Sequence, residues 1–128
     1  MSSKNHTILL IEDELPIIEV VTNKLEKKGF TVEVARSVNE ALKQIQEHSI
    51  QFIWLDHYLL GKENGLDFVV KIKQSEIWKH IPIFVVSNTS SPENVQTYLH
   101  LGVDKYYTKH VARLDEIVDE LKKVLSKE

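Results

Sequence analysis

Cysteine is absent from this chain of 128 residues, which excludes disulfides, thiolate metal ligands and cysteine nucleophiles and is compatible with a reducing compartment. Neither sign of charge dominates: a formal net charge of −3 and a pI near 6.1 give no broad attraction to nucleic acid or anionic lipid. A long apolar run is missing as well. The start Met-Ser-Ser-Lys-Asn-His is polar and leads directly into a short strand, unlike a signal peptide or a membrane span. A soluble, cytoplasmic protein is therefore expected. No repeat, low-complexity stretch or linker interrupts the chain. With 42% hydrophobic and 27% charged content it can bury one core, so a single domain over residues 1–128, with no output domain, is expected. The six histidines lack metal-site spacing such as H-E-x-x-H, and His48, His80 and His100 read as surface residues.

What is present is an alternation of short β-type runs with longer segments of helical period, the pattern of a parallel sheet built from βαβ units. The first helix is expected over residues 14–28, with Ile18, Val21 and Leu25 on one face and Gly29 at its end. Phe30 to Ala35 follows as a strand. Ser37, with Glu40 three residues on, has the spacing of a capping box and opens a helix carrying Val38, Ala41, Leu42 and Ile45. Gln51 to Asp56 is the third strand, and Leu66, Phe68, Val69 and Ile72 the apolar face of the third helix. Ser90 or Ser91 caps the fourth helix, Pro92 and Glu93 suit its first turn, and Gly102 ends it. Asp104 to Tyr107 is the fifth strand, and a last helix is expected over residues 111–127. Strands one, three and four are nearly continuous apolar runs, as expected for central strands covered on both faces, which leaves two and five as edges. Trp54 reads as core and Trp78 as a partly covered loop residue.

The chemistry gathers where strands run out. Glu12 and Asp13 follow Thr7-Ile8-Leu9-Leu10-Ile11, Asp56 closes Phe52-Ile53-Trp54-Leu55, Ser87 closes Ile83-Phe84-Val85-Val86, and Lys109 follows Tyr106-Tyr107-Thr108. In an open α/β sheet the carboxyl ends of the strands share one edge, so these groups meet in one crevice. Three carboxylates there supply the hard oxygen donors that magnesium prefers, and a divalent cation lets all three stay ionised. Lys109 brings positive charge to phosphoryl oxygens, and the Ser87 hydroxyl can bond one of them. Phosphoryl transfer depends mainly on positioning and charge neutralisation, so Asp56 is equipped to attack a phosphodonor and become an aspartyl phosphate. Taken singly, each residue has an ordinary explanation. Acids suit a helix N-terminus, aromatics such as Tyr106 suit strands, and His57 reads as an unexceptional neighbour of Asp56.

The succession Ile11-Glu12-Asp13-Glu14, Leu55-Asp56 with Asn64-Gly65-Leu66 downstream, Val86-Ser87, and Gly102-Val103-Asp104-Lys105-Tyr106-Tyr107-Thr108-Lys109 resembles the receiver domain of two-component response regulators, over essentially the whole chain. The resemblance implies a CheY-like, flavodoxin-like (βα)5 doubly wound α/β fold with a parallel five-stranded sheet in strand order 2-1-3-4-5. It implies Asp56 as phosphoacceptor and a bound Mg2+ (or Mn2+) ion. Its ligands would be Asp13, Asp56, the backbone carbonyl of Tyr58 and, through water, Glu12. Lys109 matches the phosphate-pairing lysine, Ser87 the switch hydroxyl, and Tyr106 the aromatic that turns inward with it. The implied donor is a histidine kinase or histidine phosphotransfer protein. The implied output is a face made by helix four, strand five and helix five, which binds a downstream protein rather than nucleic acid or membrane. The chain is expected to be a phosphoacceptor signalling domain, not an enzyme, that assists its own phosphorylation and dephosphorylation, as a monomer or weak dimer.

The chain departs from the family pattern in four places. The loop between Asp56 and Gly65 is one residue longer than the commonest form and has Leu60 where proline is usual, and His110 stands where the family generally has proline after the lysine. Asn88 replaces alanine or glycine, which implies altered phosphorylation or dephosphorylation rates, with Tyr58 and Thr89 at rate-tuning positions. Glu12 replaces the commoner aspartate. Two alternatives stay open: a haloacid-dehalogenase-like phosphatase, which also uses an aspartate, magnesium and a lysine, and a receiver fragment of a longer DNA-binding or kinase protein. A flavodoxin-type flavin module lacks support, because no phosphate loop rich in hydroxyls and glycine follows the first strand.

Overall fold

A computed structural model describes residues 6–88, 91–109 and 113–127. Strands and helices alternate along the chain as β1(Thr7–Ile11), α1(Leu15–Lys27), β2(Thr31–Ala35), α2(Val38–Glu47), β3(Phe52–Leu55), α3(Gly65–Lys73), β4(Ile83–Ser87), α4(Pro92–Leu101), β5(Lys105–Thr108) and α5(Leu114–Ser126). The five strands form one parallel sheet in the order β2-β1-β3-β4-β5, the expected doubly wound topology.

Side chains of a strand alternate between faces, and this divides the core into two layers. Leu9, Ile11, Ile53, Leu55, Ile83 and Val85 pack on α2, α3 and α4 through Val38, Ala41, Ile45, Phe68, Val69, Ile72 and Tyr98. Ile8, Leu10, Phe52, Trp54, Phe84 and Val86 pack on α1 and α5 through Val21, Leu25, Ile117, Val118, Leu121 and Leu125. Every residue of β3 and β4 is buried, whereas the edge strands β2 and β5 remain partly open. Burial of each large apolar side chain contributes roughly 1.5–3 kcal/mol, so the central strands anchor the edge on which the site is built. Trp54 is buried in the α1/α5 layer, and Trp78 is half-buried against the other layer.

Local signals explain most helix ends. Gly29 has φ 94°, and the Phe30 N–H donates to the Leu25 carbonyl, closing α1. Gly102, with φ 103°, ends α4. Ser37 Oγ accepts from the Glu40 N–H at 3.1 Å, but the return arm of the expected capping box goes elsewhere: Glu40 Oε1 accepts from the Arg36 N–H at 2.8 Å. A complete box occurs at α3 instead, where Asn64 Oδ1 accepts from the Asp67 N–H and Asp67 Oδ2 from the Asn64 N–H. Ser91 caps α4. Several limits shift by a residue: Glu14 is the cap of α1, and Asp104 precedes β5 because its carboxylate accepts from the Ile83 N–H and so clamps the start of β4. Helix α5 begins at Leu114. Thr89, Ser90, His110 and Val111 lie outside the described residues, and with them the expectations placed on those positions.

Candidate functional site

Sheet register brings the strand ends level. Ile11 pairs with Leu55, Leu55 with Val85, and Ser87 with Thr108. Glu12, Asp56, Ser87 and Lys109 therefore emerge on one edge. Backbone bonds continue the sheet past its strands: the Asp56 N–H donates to the Ile11 carbonyl at 2.9 Å, and the Lys109 N–H to the Ser87 carbonyl at 2.9 Å.

Glu12, Asp13 and Asp56 each offer a carboxylate oxygen within 4.8 Å of the others. Glu12 is fully buried and Asp56 is 3% exposed. Lys109 Nζ lies 2.8 Å from Glu12 Oε1, 3.3 Å from Asp56 Oδ2 and 3.6 Å from Glu14 Oε1. The lysine is thus aimed between the acids. Glu12 turns its other oxygen, Oε2, to the N–H groups of Asp13 and Glu14 at 3.2 and 3.1 Å, which ties the segment leading into α1 to the carboxylate. Burial pushes the Glu12 carboxyl up to about 7, with the Lys109 hydrogen bond opposing and the Asp56 charge adding to the rise. Burial acts against the Lys109 ammonium, but the Glu12 hydrogen bond and the charges of Asp56 and Glu12 outweigh it and hold its pKa above the usual lysine value. One ammonium among three carboxylates leaves negative charge uncompensated. That donor set fits a hard divalent cation, with water and a phosphoryl oxygen completing the coordination.

Ser87 is fully buried, and a side-chain hydrogen bond joins it to Tyr106. Tyr58 is 55% exposed and sets its ring edge-on to His57. Asn88, just past β4, is exposed. Leu60 explains one departure from the family loop. Its N–H donates to the Arg36 carbonyl at 2.9 Å, and the residue bridges to Ser37; proline has no hydrogen for that bond.

Two arrangements were not read from the sequence. Arg36 donates from Nη2 and Nε to the Asp13 carbonyl at 2.7 and 3.2 Å, bracing the loop that carries Asp13. His57 is not an ordinary neighbour of Asp56: it is 7% exposed, and its Nδ1 lies 2.6 Å from the hydroxyl of Tyr98, itself fully buried on α4. Burial lowers the His57 pKa and raises that of Tyr98, so both are neutral at physiological pH. Gly65 makes room for the pair. A Cβ there would overlap the Tyr98 hydroxyl and approach the Asp56 carbonyl oxygen to 2.8 Å. The one hint in the sequence was Gly65 itself, a residue without a side chain beside an apolar helix face.

A parallel five-stranded sheet thus carries three acids and a lysine together at its carboxyl edge. A family model described as the response regulator receiver domain matches residues 8–122, and the chain belongs to that family. It is 32% identical over 118 residues to the phosphate regulon transcriptional regulatory protein PhoB of Escherichia coli K12, covering 92% of this chain and 51% of that protein. It is 28% identical over 109 residues to the two-component response regulator ORR12 of Oryza sativa subsp. japonica, covering 84% of this chain and 89% of that protein. A CheY-like receiver domain protein from Methanospirillum hungatei JF-1 shares the fold at TM-score 0.86 and 23% identity, with 95% of this chain and 94% of that one covered. The chain spans about half the length of the PhoB relatives it matches. No helix among the described residues is long and apolar enough to cross a membrane. Family membership sets the phosphatase alternative aside.

Proposed function

We propose that Asp56 accepts a phosphoryl group from a phosphohistidine on a histidine kinase or histidine phosphotransfer protein, in the cytoplasm, and that residues 1–128 act as one receiver unit. The observation that carries this reading is the Asp56 carboxylate itself, buried at a strand end with Oδ2 facing the Lys109 ammonium at 3.3 Å. Its other oxygen accepts from the His57 N–H at 2.7 Å, which holds the carboxylate's orientation. An oxygen of Asp56 forms the new O–P bond as the P–N bond to the imidazole breaks, and the nitrogen keeps the electron pair. Lys109 pairs with the phosphoryl oxygens, and the Ser87 hydroxyl bonds one of them. Asp13, Asp56, the Tyr58 carbonyl and, through water, Glu12 would hold Mg2+ or Mn2+, which supplies charge neutralisation at the phosphoryl oxygens. In the same way the chain assists its own phosphorylation and the later hydrolysis. Asn88, Tyr58 and Thr89 tune those rates.

Phosphorylation stabilises one of two arrangements of the face formed by α4, β5 and α5 through Ser87 and Tyr106, and a downstream protein reads that face. The test is intact-mass measurement after treatment with acetyl phosphate and magnesium. The parent gains one phosphoryl group and Asp56→Asn gains none. A gain that survives the substitution means another residue is the acceptor.

A further inference from the structure

Helix α4 is attached to the core unevenly. Among its described residues Tyr98 alone is buried, and its hydroxyl ends on His57, the residue next to the acceptor. His57 therefore faces both ways. Its backbone N–H is on Asp56 Oδ1 at 2.7 Å while its ring is on Tyr98 at 2.6 Å, so a shift of the acceptor carboxylate is carried by the same peptide that holds the ring. The space at Gly65 lets the hydroxyl approach this closely, and the Gly65 N–H donates to the His57 carbonyl at 2.9 Å, fixing the histidine from its other side. Beyond Tyr98 the contacts continue: its ring lies 5.8 Å from that of Tyr106, which hydrogen-bonds to Ser87. The circuit runs from the end of β3 through α4 and β5 to the end of β4.

We propose that Tyr98, held by His57, is a positioning residue that latches α4 to the acceptor strand end, so that events at Asp56 reach α4 directly as well as through Ser87 and Tyr106. A buried hydrogen bond between two neutral rings suits this task. Leaving either partner unmatched in the interior is costly, so the bond has two well-separated states, made and broken, rather than a graded response. The transmission half of the proposal rests on the phosphoacceptor function above; the resting latch does not.

The test is amide hydrogen exchange across residues 92–101 in the full chain, comparing the parent, Tyr98→Phe, His57→Phe and the double variant, with and without acetyl phosphate and magnesium. Tyr98→Phe keeps the ring and removes only the hydroxyl. In the resting protein, exchange in α4 is expected to rise about tenfold in either single variant. The double variant should lie within about twofold of the singles, because one bond cannot be lost twice. Unchanged exchange in Tyr98→Phe, or additive effects in the double variant, would overturn the latch. For transmission, Tyr98→Phe should gain the phosphoryl group to the parental extent while the phosphorylation-dependent change in α4 exchange falls below half the parental change. A merely structural bond speeds resting exchange and leaves that change intact, which overturns transmission. A parent that gains no phosphoryl group overturns the proposed function together with transmission, and the resting comparison alone then decides the latch.

Discussion

The two sides of Asp56 solve the problem of buried polarity in different ways. On one side Glu12, Asp13 and Lys109 are held by charge, and the balance is incomplete, with three acids against one ammonium. On the other, His57, Tyr98, Gly65, Tyr106 and Ser87 are neutral and are held by fit: ring on ring, hydroxyl on imidazole, and a glycine where a side chain would intrude. The charged side is open to adjustment by ions and protons, because burial penalises net charge and any counter-charge relieves it. The neutral side responds to shape. A signalling site benefits from both, since one side receives a charged group and the other converts its arrival into a displacement.

The sharpest break of this comparison is Lys109→Met. With the ammonium gone, Glu12 and Asp56 face each other without compensation, and the loss of stability should be about 3 kcal/mol at pH 8 in urea denaturation. It should be smaller at pH 5, where Glu12 holds a proton, and smaller again with magnesium. A loss indifferent to both would show that the lysine acts by packing alone. Gly65→Ala attacks the neutral side and should cost about 2 kcal/mol through overpacking, with no dependence on magnesium. Combining it with Tyr98→Phe should recover only part of that, because the Asp56 carbonyl still stands 2.8 Å from the new Cβ. Full recovery would assign the whole constraint to the hydroxyl.

An effect of similar size, confined to the charged side, is expected from pH. The Glu12 carboxyl titrates near 4.5 when unfolded and near 7 when folded. Between those values the folded chain keeps a proton that the unfolded chain has lost. This group's contribution is therefore full below pH 4.5 and declines as pH rises to 7, by on the order of 3 kcal/mol. Urea midpoints at pH 5 and 7.5 without magnesium should show the decline, and Glu12→Gln should flatten it. Asn64→Ala removes the cap of α3, beyond both sides, and should cost about 1 kcal/mol at every pH and magnesium level.

The charged side was legible in the sequence because Glu12, Asp13, Asp56 and Lys109 all follow apolar runs, and the carboxyl ends of the strands of an open α/β sheet share one edge. Lys109 was named on its position after a strand and on the family resemblance, and its Nζ lies beside Glu12 and Asp56. On the neutral side Ser87 and Tyr106 were named through the family resemblance, but the pairing of His57 with Tyr98 was not legible. His57 and Tyr98 are 41 residues apart, and a histidine in a loop and a tyrosine on a helix are common enough to pass unremarked. Arg36 escaped notice for the same reason, since its partner is a backbone carbonyl, which every residue possesses.

The sequence by itself determined the elements and their order. Alternation of apolar runs, the glycines at positions 29 and 102 and the serine caps act over a few neighbouring residues, where local sterics and hydrogen bonding set the outcome. The meeting of distant groups was decided by tertiary structure, because it depends on strand register and on which helix covers which face. The pairing of Ile11 with Leu55 sets Glu12 beside Asp56, and the seating of α4 over a glycine brings Tyr98 to His57.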